Sequence, residues 1–152
     1  MESVIALPNK IFYKFQNPLL EKQSILLIDD CRSMLELHQA MLEFENFEVF
    51  TAGSGKEALA VLLRINRPNL ILLDMQMEGM TGIEFLIELE IKLPEIINSV
   101  PVVFLTSLKS VPKSRAIGCI QKPTGKKKFI ESVHHYIKMG TLSHFKSYVC
   151  DS

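Results

Sequence analysis

The chain lacks a net charge: Lys plus Arg and Asp plus Glu number 17 each among its 152 residues. No global field therefore recruits nucleic acid or an anionic membrane. Cysteine is scarce, with only Cys31, Cys119 and Cys150, odd in number and widely spaced. That excludes a disulfide framework and a zinc site, and it suits a reducing cytoplasm. No apolar run approaches the ~20 residues of a membrane span. The opening "MESVIALPNK" has an acid where a signal peptide needs a base, and Pro8 breaks its apolar stretch. Repeats and low-complexity tracts are missing too. What is left is 47% hydrophobic and 22% charged, a globular balance in one domain's length. The expectation is a soluble cytoplasmic domain.

Four short apolar runs read as buried strands: Ile25–Ile28, Glu48–Thr51, Leu70–Leu73 and Val102–Leu105. A weaker fifth is Gly118–Gln121. The runs are continuous rather than alternating, which predicts cover on both faces. The segments between them have helical spacing. Met34, Leu37, Met41 and Phe44 line one face of the first. The second opens on Ser54 with Glu57 three residues on, a capping box, and continues through Ala58, Leu62 and Ile65. The third repeats the box with Thr81 and Glu84, then places Ile83, Leu86, Leu89 and Leu93 inward. A last helix, Lys126 to Met139, turns Phe129, Val133, Tyr136 and Ile137 inward and is expected to stop at Gly140. Strand–helix alternation with short links gives an α/β fold, a parallel sheet with helices on both sides.

The expected domain is residues 24–139, with an N-terminal arm at 1–23 and a tail at 140–152. The arm carries Ile11, Phe12, Phe15, Leu19 and Leu20 but is interrupted by Pro8 and Pro18. It reads as an arm or short helix packed on the domain, or as a partner contact. The tail is too short for an appended effector domain. One connection does not fit the alternation. "TSLKSVPKSRAI", with Pro112 in its middle, has barely the ~10–12 residues that a crossover with its helix requires. This fourth helix is predicted to be short or degenerate.

Functional groups of an open α/β sheet collect at the carboxyl ends of its strands. Here those ends carry Asp29 and Asp30, then Asp74, then Thr106 and Ser107, then Lys122-Pro123. Alone, a strand-terminal Asp is a helix cap and a Thr a loop donor. Together, three carboxylates, a hydroxyl and an ammonium converge on one edge. Three carboxylates repel one another and call for a cation. Hard oxygen ligands favour magnesium, which keeps several waters and binds a few carboxylates with phosphate oxygens. Lys122 adds a compact positive charge, and Thr106 a donor for an anionic oxygen. The set suits a phosphoryl group on Asp74.

"ILLIDD", "AGSGKEAL", "LILLDMQMEGMTG", "VVFLTS" and "CIQKP" resemble, in order and spacing, the response-regulator receiver domain, the CheY-like phosphoacceptor module. The resemblance covers about residues 24–138. It implies a flavodoxin-like, doubly wound, five-stranded parallel sheet of order 2-1-3-4-5. It implies that Asp74 accepts a phosphoryl group from a phosphohistidine on a sensor histidine kinase or histidine phosphotransfer protein. Asp29, Asp30 and Asp74, with the backbone carbonyl of Gln76, would hold Mg2+. Lys122 would pair with the phosphoryl group, the Lys122–Pro123 peptide would be cis, and Thr106 would be the switch hydroxyl. The output would be a contact with a downstream protein, with neither nucleic acid nor membrane involved. Such a domain is a self-modifying signalling module rather than an enzyme acting on other substrates.

The chain departs from the family where an aromatic residue usually precedes the lysine by three places; Cys119 stands there. Glu78 replaces a frequent proline, and Thr124 a frequent phenylalanine. Lys126, Lys127 and Lys128 open the last helix, where its dipole disfavours cations. They read as a solvated turn or as a handle for an acidic partner. Three rivals were weighed. "GSGK" at 53–56 is no P-loop, because Phe50 and Glu57 occupy positions that need Gly and Ser or Thr. An aspartate-nucleophile phosphatase wants an acid two residues after the nucleophile, where Gln76 stands. A pseudo-receiver that only binds partners stays open because of Cys119.

Overall fold

A computed structural model of the chain describes residues 21–142. The expected arm and tail fall almost wholly outside these residues, as does Cys150. The strands are β1 (Ser24–Ile28), β2 (Glu48–Ala52), β3 (Leu70–Asp74), β4 (Val102–Thr106) and β5 (Gly118–Gln121). All pair in parallel, in the order β2-β1-β3-β4-β5. Between and after them lie α1 (Arg32–Phe44), α2 (Gly55–Leu62), α3 (Gly82–Lys92), α4 (Pro94–Ile97) and α5 (Lys126–Leu142).

Every residue of β1, β3 and β4 is buried, as continuous apolar runs require. The two-residue period then deals their side chains to two cores. Leu26, Ile28, Ile71, Leu73 and Phe104 pack with Phe85, Leu86 and Leu89 of α3. Ile25, Leu27, Leu72, Val103 and Leu105 pack with Leu42 of α1 and Phe129, Val133 and Ile137 of α5. Each such side chain contributes about 1.5–3 kcal/mol on leaving water. Among the described residues no helix is long and apolar enough to cross a membrane.

The helix starts follow the sequence with one shift. Thr81 Oγ1 accepts the Glu84 N–H at 3.2 Å while Glu84 Oε2 accepts the Thr81 N–H at 2.8 Å, a complete capping box on α3. On α2, Ser54 Oγ accepts the Glu57 N–H at 3.1 Å, but the Glu57 carboxylate takes the Gly53 N–H at 2.8 Å instead of that of Ser54. The Gly53 amide, just past the end of β2, takes the carboxylate, so the expected box is displaced by one residue.

Three expectations fail. The run Glu48–Thr51 is not covered on both faces: β2 lies at the edge of the sheet, with Glu48 exposed and Val49, Phe50 and Thr51 half-buried. The face predicted for α1 is inward only in part: Met41 packs against the core, but Leu37 is 47% and Phe44 77% exposed, while His38 and Leu42 are buried. The His38 ring stacks on Phe129 at 4.7 Å between centroids, so an imidazole holds a core position that apolar spacing does not count. Nor does Gly140 end the last helix, which runs to Leu142. A Cβ on Gly140 would lie 2.6 Å from Pro101 Cγ. The glycine lets α5 close on the residue before β4, and the helix continues through it because glycine costs a helix only about 1 kcal/mol. The lysines that open α5 are partly employed: Lys126 Nζ sits 3.8 Å from the Phe44 ring centroid and 3.9 Å from Glu45 Oε1.

The crossover between β4 and β5, residues 107–117, contains no helix, as its length and Pro112 predicted. It is a strap held by side chains. Arg115 donates to Glu90 Oε1 on α3 at 2.6 Å and to Asn98 Oδ1 just after α4. Gln121 Nε2 donates to the Leu108 carbonyl at 2.7 Å. Beside the strap lies a cavity of about 340 Å³ lined by Ile83, Leu86, Ile87, Glu90, Lys113 and Arg115.

Candidate functional site

The carboxyl edge of the sheet gathers most of the residues singled out from sequence. Asp29 follows β1 directly, its N–H still bonded to the Ala52 carbonyl at 3.1 Å, and it is fully buried. Asp30 is next and exposed. Asp74 is the last residue of β3 and 7% exposed. Oxygens of these three carboxylates lie within 4.8 Å of one another. Lys122, one residue beyond β5, reaches across with Nζ 3.0 Å from Asp29 Oδ2 and 3.5 Å from Asp74 Oδ1. The peptide that follows it, Lys122–Pro123, is cis.

Backbone amides hold the acids in place. Asp29 Oδ1 accepts the Cys31 N–H at 2.9 Å, Asp30 Oδ2 that of Glu78 at 2.9 Å, and Asp74 Oδ1 that of Gln76 at 3.1 Å. The loop after β3 is pinned at its far end as well. The Gly82 N–H donates to the Met75 carbonyl at 3.0 Å, and a Cβ on Gly82 would meet the Asp74 carbonyl at 2.9 Å. Helix α3 therefore starts directly against the end of the strand that carries Asp74.

The electrostatics favour an added cation. Burial pushes the Asp74 carboxyl above the usual carboxylate range. The Gln76 N–H and the Lys122 ammonium pull it down, while the neighbouring Asp29 adds to the rise. One ammonium thus offsets three carboxylates incompletely. Hard oxygen donors so close together fit a small divalent ion.

Thr106 and Cys119 stand apart from this cluster. Thr106 ends β4, is 2% exposed, and its Oγ1 accepts the Leu108 N–H at 3.0 Å. Cys119 pairs with Phe104 in the register, back from the edge, and its half-buried thiol packs against the core beside α3. Its carbonyl accepts the Tyr136 hydroxyl at 3.3 Å.

Those strand ends, with this sheet order, coincide with a known pattern. The sequence profile of the response regulator receiver domain matches residues 25–134. The chain belongs to the response regulator receiver family. Among relatives of this receiver is the polar-differentiation response regulator DivK of Brucella ovis, 29% identical over 121 residues, or 76% of this chain and 96% of DivK. The probable transcriptional regulator ycf27 of Porphyridium aerugineum is 33% identical over 92 residues, 60% of this chain, which spans only 36% of that protein. Of solved structures, the chemotaxis protein CheY4 of Vibrio cholerae superposes with a TM-score of 0.69 at 26% identity, covering 76% of this chain and 99% of that one. Receivers are signalling domains of two-component systems, with an acidic pocket of the kind formed by Asp29, Asp30 and Asp74.

Some contributors to the receiver site were not foreseen. The Cys31 and Glu78 amides act through backbone atoms, which side-chain identity does not reveal. Gln121 acts on the backbone of the strap, a partner that exists only because the crossover has no helix. His38 was not singled out from sequence, yet Lys122 and Asp29 both act on its charge. Burial, reinforced by Lys122, holds its pKa below the ordinary histidine value, with Asp29 opposing.

Proposed function

We propose that this receiver accepts a phosphoryl group on Asp74 from a phosphohistidine, supplied by a sensor histidine kinase or a histidine phosphotransfer protein. The observation that carries the reading is the convergence of Asp74 with Asp29, Asp30 and Lys122 on one edge of the sheet. In the transfer, an Asp74 carboxylate oxygen forms the new bond to phosphorus as the bond from phosphorus to the histidine nitrogen breaks. The leaving imidazole keeps the electron pair and takes a proton from solvent. Asp29, Asp30, Asp74 and the Gln76 carbonyl would hold Mg2+, which when bound supplies positive charge against the phosphoryl oxygens. Lys122, whose Nζ lies 3.5 Å from Asp74 Oδ1, would pair with a phosphoryl oxygen. Thr106 would donate its hydroxyl to the phosphoryl group. Phosphorylation would then favour the conformer that makes that contact, shifting the population. The signal would pass to a downstream protein in a cytoplasmic phosphorelay, with neither nucleic acid nor membrane engaged. The near-complete coverage of DivK supports a role as a single-domain response regulator.

A second reading, a pseudo-receiver that binds partners without modification, is favoured by Cys119 and the helix-free crossover. One experiment separates the two. The protein and Asp74→Asn are incubated with Mg2+ and acetyl phosphate or beryllofluoride, and adducts are followed by mass and 19F spectroscopy. A magnesium-dependent adduct, lost entirely in Asp74→Asn, is expected. Its absence with every donor would leave the pseudo-receiver. Catalytic turnover of a phosphomonoester would instead favour an aspartate-nucleophile phosphatase.

A further inference from the structure

The strap has an unusual attachment to the site. Leu108 is held on both sides of its backbone. Its N–H donates to Thr106 Oγ1 at 3.0 Å, and its carbonyl accepts from Gln121 Nε2 at 2.7 Å. Thr106 and Gln121 face each other in the β4–β5 register, and Lys122, next after Gln121, reaches Asp29 and Asp74. The far end of the strap is fixed separately, by Arg115 on Glu90 and Asn98. The side chain at 119, a half-buried thiol packed against the core, carries no ring.

The consequence is geometric. Were Thr106 to turn about χ1 to bring its hydroxyl to a group on Asp74, Oγ1 would leave the Leu108 N–H and that amide would lose its acceptor. The freed amide must then be paired again, by the Leu108 peptide moving with the hydroxyl or by its taking water, since Leu108 itself is exposed. The Gln121 amide decides which, because it grips the other side of the same residue.

We propose that Gln121 is a positioning residue that couples Thr106 to the strap, so that modification of Asp74 is read out through the Leu108 peptide. The proposal rests on the phosphoacceptor reading above. The output element is then a stretch of main chain, residues 107–114, moving between the Gln121 and Arg115 attachments.

The test uses the full-length, 15N-labelled chain with Mg2+ and beryllofluoride, and the variants Gln121→Leu, Gln121→Glu and Gln121→Lys. In the wild type the adduct is expected to move the Leu108 amide, the Gln121 side-chain NH2 and the amides of the strap. In Gln121→Leu and Gln121→Glu, which lose the donor, the adduct still forms and Thr106 still shifts, but the strap shifts collapse. Gln121→Lys retains a donor and restores them. Before modification, the Leu108 amide of Gln121→Leu exchanges about fivefold faster, the loosening expected from one lost hydrogen bond. Strap shifts undiminished in Gln121→Leu, or a strap unmoved in the wild type, would overturn the coupling while leaving Asp74 as acceptor. Failure of the wild type to bind beryllofluoride would remove both, and the 19F signal distinguishes the two failures.

Discussion

The first and last crossovers of the sheet solve the same problem with different materials. Between β1 and β2, α1 closes the connection with thirteen helical residues and seats His38 and Leu42 against α5. Between β4 and β5, residues 107–117 form no helix; Val111, Ala116 and Ile117 dip into the cores, and the polar side chains of Arg115 and Gln121 hold the more exposed stretches between them. The three carboxylates sit on the well-packed part of the molecule; Thr106 opens onto the strap. Packed groups keep their positions because any displacement opens a void. Exposed polar attachments exchange with water at little cost. On the proposed reading, the acceptor side of the site rests mainly on close packing and the Thr106 side leans on exchangeable polar contacts.

The difference can be tested by damaging each side in turn. The largest effect is expected from Phe129→Ala, which removes a fully buried ring and the stacking partner of His38. It should cost about 3–5 kcal/mol in urea unfolding, whereas Ile87→Ala, half-exposed beside the strap cavity, should stay within about 0.5 kcal/mol. Equal losses would remove the contrast between the two sides.

A smaller, pH-dependent effect belongs to His38. Its folded pKa lies below the unfolded value, so the unfolded chain binds more protons in the interval between them. The contribution is present above about pH 6.5, the unfolded value, and is lost as pH falls through the folded pKa. In His38→Leu the decline of stability below that pH should be shallower, as measured by thermal unfolding across a pH series. An unchanged slope would assign the acid sensitivity elsewhere.

The smallest global effect is expected from Arg115→Ala. The ion pair with Glu90 is largely open to solvent, and its loss should lower stability by no more than about 1 kcal/mol. Hydrogen exchange should nevertheless rise across 107–117 while α1 and α5 stay protected. Uniform loosening would show that the strap is an integral part of the core.

Sequence reading succeeded where one signal dominates. The aliphatic runs of β1, β3 and β4 became fully buried strands, and the strand ends fell within a residue of those expected, which brought Asp29, Asp30, Asp74 and Lys122 to one edge. The helix-free crossover was legible from length and Pro112. The inward face of α1 was not, because apolar residues lie on more than one side of that helix and its central buried group is an imidazole. Gly140 misled for a related reason: glycine marks both helix ends and close contacts, and only the position of Pro101 distinguishes them. Helix α4, Pro94–Ile97, is too short to have a period at all. The contacts around the carboxylates come largely from backbone amides, which every residue but proline possesses.

The close approach at Gly82 has a practical consequence for anyone rebuilding this loop. Residues 75–81 form a bridge of fixed span, tied down at Met75 and Gly82, with no room for a side chain at the second abutment. Their chemistry can be rewritten, for example to change which donors face Asp30 or which residues a docking protein meets, provided the count between the two ties is kept. A graft that carries the loop without its terminal glycine would lift α3 off β3 and shift Asp74 itself, mixing a change of specificity with a change of scaffold.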